Sequence, residues 1–137
     1  MKALIDTNVL LDVLGRRERF YEHSASIWAL SERGQLDGLV AAVSFTTVFY
    51  LLEKWSGVEA ARRGLVLVRD AFAPVACDER ILDQAIDSDM ADFEDAVRYS
   101  SALHAGADRI LSRNVGDFPR RPAVPVLSPK EFLAQLD

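Results

Sequence analysis

A chain of 137 residues, half of them apolar, can bury one sizeable core, and residues 1–137 are read as one domain. Apolar runs such as Leu39–Val43 and Gly64–Val68 are too short to span a bilayer, and Met1–Asp6 reaches an acid too soon for a signal peptide, so a cytoplasmic protein without membrane contact is expected. A formal charge of −5 argues against non-specific coating of nucleic acid, and the lone Cys77 excludes an internal disulfide or a thiolate metal cage.

Lys2–Ile5 reads as a strand running into the polar turn Asp6-Thr7-Asn8 and a short helix through Leu14, stopped by Gly15. Tyr21–Arg33 carries a helical apolar stripe with Gly34 behind it. Leu39–Val43 is the second predicted strand, ending in what reads as a buried run, and Ser44 is placed as the cap of a helix through Trp55. Val58–Phe72 is a further helix, Ala73–Cys77 a short buried strand, and Asp78 the cap of a helix over Ile81–Ile86. An acidic turn precedes a helix over Phe93–Ala105, and Arg109–Leu111 is a brief strand leading into Ser112-Arg113-Asn114. Ser128-Pro129-Lys130-Glu131 joins a cap, a first-turn proline and a glutamate three residues on, which opens a last helix. Strands alternating with helices predict an α/β fold, a mostly parallel central sheet flanked by helices.

In such sheets the site lies beyond the carboxyl ends of the strands. Asp6 follows the first strand, Asp117 follows the Arg109–Leu111 strand, and Asp95 lies in the first turn or so of the helix before it. Each has an ordinary reading as a cap, a helix N-terminal acid or a turn residue. Their conjunction points elsewhere, because Mg²⁺ and Mn²⁺ take oxygen ligands, and clustered aspartates repel without a cation. Asp87, Asp89 and Glu94 are read as a solvated acidic turn; Asp95 is read as functional.

These residues resemble the PIN-domain metal-dependent ribonucleases, which include the VapC toxins of bacterial toxin–antitoxin pairs, over almost the whole chain. Ala3-Leu4-Ile5-Asp6-Thr7-Asn8-Val9-Leu10 is similar to the opening strand and first metal-binding aspartate, with Thr7 and Asn8 in support. Asp92-Phe93-Glu94-Asp95-Ala96, followed by Ser100-Ser101-Ala102, is similar to the central motif and places its aspartate at Asp95. Ile110–Phe118 is similar to the closing motif, with its acid at Asp117 and Ser112 and Asn114 beside it. The resemblance implies a three-layer PIN-like fold and an endoribonuclease using Mg²⁺ or Mn²⁺ held by Asp6, Asp95 and Asp117. It also implies an RNA substrate, a homodimer and a cognate antitoxin.

One position departs from the family. An acid is expected six residues after Ser44, where this chain has Tyr50; Glu53, one turn on, and Asp92 are the acids that could substitute. The alternative to a nuclease is therefore a PIN-like module that binds RNA or protein without cutting. Water attack in line would leave 5′-phosphate and 3′-hydroxyl ends, whereas cleavage through the 2′-hydroxyl wants a histidine pair, and His23 and His104 each lie inside a helical pattern. A phosphotransfer domain with Asp6 as nucleophile lacks both a second aspartate two residues on and a lysine after the late strand. Arg113, in the closing motif, is the candidate for gripping substrate phosphates, with Arg16, Arg17, Arg19, Arg120 and Arg121 as further basic clusters.

Overall fold

The computed structural model describes residues 1–136. Five strands, β1 (Lys2–Ile5), β2 (Asp37–Ala41), β3 (Ala73–Val75), β4 (Arg109–Leu111) and β5 (Val126–Leu127), form one sheet in the order β3-β2-β1-β4-β5. Every pairing is parallel, with Leu4 opposite Leu39 on one side and Ile110 on the other. Seven helices accompany them: α1 (Thr7–Leu14), α2 (Glu18–Glu32), α3 (Ala42–Ser56), α4 (Val58–Ala71), α5 (Glu79–Asp87), α6 (Phe93–His104) and α7 (Pro129–Gln135).

Both faces of the sheet are covered, which is why its strands are apolar beyond the leading Lys2, Asp37 and Arg109. Alternation along β1 sends Ala3 and Ile5 into a cluster with residues of α1, α2, α3, α4 and α7, and Leu4 into an opposite cluster with Ala102 of α6 and Ile110. Helices above and below the sheet make the three layers expected. Among the described residues, no helix is long and apolar enough to cross a membrane.

Several boundaries differ from expectation. The second strand ends at Ala41 rather than Val43, and α3 starts at Ala42 with no side-chain cap, leaving Ser44 inside the first turn. The apolar run straddles the junction, where periodicity cannot separate a short strand from a buried helical turn. α2 begins at Glu18, earlier than the apolar stripe shows. Cys77 is exposed and lies beyond β3. The chemically marked ends match: Asp78 accepts from the Ile81 amide at 3.0 Å, and Ser128 and Glu131 form the reciprocal capping box.

From β1 the chain lays β2 and β3 to one side and later places β4 and β5 on the other. The strand order reverses between β1 and β4, and a crevice opens beyond their carboxyl ends. The Asp6 amide donates to the Leu111 carbonyl at 2.9 Å, so the first residues past both strands are fastened side by side.

Candidate active site

Asp6 is 4% exposed, and both its carboxylate oxygens are occupied. Oδ1 accepts from the Thr7 amide at 2.7 Å, which makes Asp6 the cap of α1 as well as a site residue. Oδ2 accepts from the Ser112 hydroxyl at 2.7 Å and from Asn8 Nδ2 at 3.4 Å. Ser112 in turn accepts from Asn8 Nδ2 at 3.2 Å and from the Asn114 amide at 3.0 Å. Thr7 points its hydroxyl at Ser44 Oγ, 3.0 Å away. The supporting residues Thr7, Asn8 and Ser112 therefore gather around Asp6, with Asn114 joining through its backbone.

Across the crevice, α6 supplies Asp95 and a buried arginine. Asp92 caps the helix by accepting from the Asp95 amide at 3.0 Å. One and two turns' spacing beyond these acids lies Arg98, its side chain 6% exposed, with Nη1 2.9 Å from Asp95 Oδ1, Nη2 3.0 Å from Glu94 Oε2 and Nε 3.4 Å from Asp6 Oδ1. Nε also donates to Ser44 Oγ at 3.2 Å. Glu94 reaches back to Thr47, whose hydroxyl is 3.2 Å from Oε2.

Asp117 closes a single 3-10 turn, Val115–Asp117, and is exposed. It lines a hollow of about 430 Å³ together with Asp92, Asp95, Gly116 and Arg120. Loss of water around Asp95, followed by the charge of Asp6, pushes its carboxyl up to about 6; Asp92 and Asp117 push the same way and Arg98 opposes them. Three carboxylates thus act on the Asp95 carboxyl. Their oxygen donors suit a hard cation in type. No three acidic, histidine or cysteine side chains among the described residues are already drawn together as a metal-holding group, and the Arg98 guanidinium bridges Asp6 and Asp95.

Of the two substitutes for the acid missing at Tyr50, Asp92 lines the hollow, whereas Glu53 is exposed on α3 and lies outside its wall. Tyr50 is itself exposed and borders a neighbouring groove with Thr47 and Glu94. Arg113 turns away from the acids: its Nε donates to the buried Asp12 at 2.7 Å and its guanidinium stacks 3.9 Å over Phe20. Its backbone amide still donates to Asn8 Oδ1 at 3.2 Å. With Arg19, His23 and Lys130 it borders a second hollow of about 420 Å³.

Sequence reading missed Arg98, read Ser44 as a helix cap and took Glu94 for a solvated acid. The signal was present in the spacing. Arg98 follows Glu94 by four residues and Asp95 by three, the separations at which side chains meet on a helix.

The profile of the PIN domain family matches residues 2–116. The chain is 25% identical over 135 residues to ribonuclease VapC1 of Aquifex aeolicus, spanning 96% of this chain and 92% of that one. Its fold is similar to VapBC2 from Rickettsia felis bound to a DNA fragment from its promoter, with a TM-score of 0.73 and 12% identity, covering 93% of this chain and 98% of that one. It is also similar to a toxin–antitoxin complex from Klebsiella pneumoniae, with a TM-score of 0.68 and 19% identity, covering 93% and 97% of the two chains.

Proposed function

The chain belongs to the PIN domain family, and we propose that it is an endoribonuclease that uses Mg²⁺ or Mn²⁺ and acts as the toxin of a toxin–antitoxin pair. The observation that carries this is that Asp92, Asp95 and Asp117 line one hollow and that Asp95, within reach of the Asp6 charge, is pushed up to about 6 by its burial and then by these acids. Asp6, Asp95 and Asp117 would hold the cation, with Asp92 beside them. When bound, such an ion lowers the pKa of water and stabilises negative charge developing on a phosphate.

The protein's own groups do the rest. Ser112 and Asn8 fix the Asp6 carboxylate, so its orientation does not depend on solvent. Arg120 borders the acid-lined hollow and would meet a backbone phosphate of the substrate. Arg113, Arg19 and Lys130 border the second hollow and offer further phosphate contacts. No histidine lines the acid hollow, which fits attack by water rather than by the 2′-hydroxyl.

A module that binds without cutting is not favoured, since VapC1 of Aquifex aeolicus, to which the chain is similar, is a ribonuclease, and acids stand at Asp6, Asp95 and Asp117. An antitoxin partner is supported by the toxin–antitoxin assemblies among the structural relatives. The test is to incubate the protein with a mixed RNA panel, with Mn²⁺ or with chelator, and to map the product ends. Metal-dependent products with 5′-phosphates support the reading; products ending in 2′,3′-cyclic phosphates contradict it.

A further inference from the structure

We propose that Arg98 is a built-in counter-cation of the acidic site, and that a divalent ion loads only when the guanidinium gives up Asp6 and Asp95. This rests on the reading of those acids as metal ligands. Arg98 is 5% exposed, yet its three nitrogens reach three carboxylates: Asp6 at 3.4 Å, Asp95 at 2.9 Å and Glu94 at 3.0 Å. An arginine that deep needs compensating charge, and these acids need a cation. Each satisfies the other with no metal present.

The contacts at Asp6 make the two cations competitors. Its Oδ2 is held by Ser112 and Asn8, and its Oδ1 by the Thr7 amide and Arg98. The capping bond to Thr7 belongs to α1, so the Arg98 contact is the one that can be exchanged. At Asp95, Oδ1 is the oxygen bound to Nη1. A divalent ion held by Asp6 and Asp95 would meet a positive group already on both carboxylates, and like charges at that range repel strongly. Glu94 offers the displaced guanidinium somewhere to remain: it is 48% exposed, and is bound to Arg98 through a separate nitrogen, Nη2. Loading then moves Arg98 from a three-carboxylate bridge to a pair with Glu94 at the rim. Arg98 is thus a positioning residue that sets how tightly, and at what free-ion concentration, the site takes metal.

The test is calorimetric titration of Mn²⁺ into the wild type, Arg98→Gln and Arg98→Lys, with thermal melts of each in chelator and in excess Mn²⁺. The glutamine variant should bind Mn²⁺ about tenfold more tightly, because the competing charge is gone. It should melt lower than the wild type in chelator, where the acids lack their counter-ion, and regain that loss in Mn²⁺. Lysine keeps the charge but not the bridge, and should fall between. Equal or weaker Mn²⁺ binding by Arg98→Gln, or none by any form, overturns the proposal. Should Arg98→Gln fail to fold in chelator, the lysine variant decides by the same comparison. Tighter binding by Arg98→Gln together with no RNA cutting by any form supports the counter-cation and counts against the nuclease alone.

Discussion

The Ser112 hydroxyl donates to Asp6 Oδ2 at 2.7 Å, joining residues 106 positions apart at the ends of two neighbouring strands. The bond fixes an acid whose cap role would otherwise leave one oxygen free to turn. Ser112→Ala removes it and leaves a buried carboxylate oxygen with only the longer Asn8 contact, so unfolding should become easier by about 2 kcal/mol. RNA cutting should fall about 10- to 100-fold, as for other groups that orient metal ligands. Urea unfolding and single-turnover cleavage check the two effects separately.

Asp12 has no accessible surface on its side chain, yet it carries Arg113 at 2.7 Å, Ser24 at 3.0 Å and Arg17 at 3.8 Å. Its Oδ1 has no hydrogen-bond partner and relies on the Arg17 charge. Asp12→Ala leaves Arg113 and Ser24 without their acceptor and should cost about 3 kcal/mol in a denaturant melt. A variant of near wild-type stability would show that the Arg113 stack on Phe20 suffices.

Asp95 gives the metal-free protein a distinctive pH response. Its folded-state carboxyl is raised from 3.8 to about 6, so the folded state favours the protonated form. The stability it contributes is present below about pH 4 and is lost as pH rises through about 6. Asp95→Asn lacks this loss. The melting temperature of Asp95→Asn relative to wild type, in chelator, should therefore rise between pH 4 and 7. A difference that is flat or falls over that window would contradict the burial of Asp95 beside the other acids.

Gly38 of β2 packs its backbone against Phe72 and Ser31, and an added Cβ would overlap Phe72 Cδ1 and stand 2.5 Å from Ser31 Oγ. Ser31 is engaged with the Ala71 carbonyl at 2.5 Å and cannot move away freely. Gly38→Ala should destabilise by about 1–3 kcal/mol through overpacking, read by thermal melting. Cleavage measured well below the melting temperature should be little changed, since β2 brings no acid to the hollow.

Much of this was written locally in the sequence. Strand β4, the capping box before α7 and the Asp78 cap follow from residue type and spacing, because each depends on atoms within a few positions. Asp6, Asp95 and Asp117 were legible as acids at strand and helix ends. The start of α3 was not, since Ala42 and Val43 continue an apolar run from strand into helix. Arg98 was hidden for another reason. A helical arginine near two acids reads as a surface ion pair, and only the folded sheet shows that Asp6, 92 positions earlier, closes over it.

The most direct measurement is the rate at which purified wild type and Asp6→Asn cut one susceptible RNA in saturating Mn²⁺, after each is shown to be folded by its melt. The account predicts cleavage by the wild type that chelator abolishes, and a loss of at least about 100-fold in Asp6→Asn. Cleavage by Asp6→Asn at the wild-type rate, or cleavage that survives chelator, would contradict it.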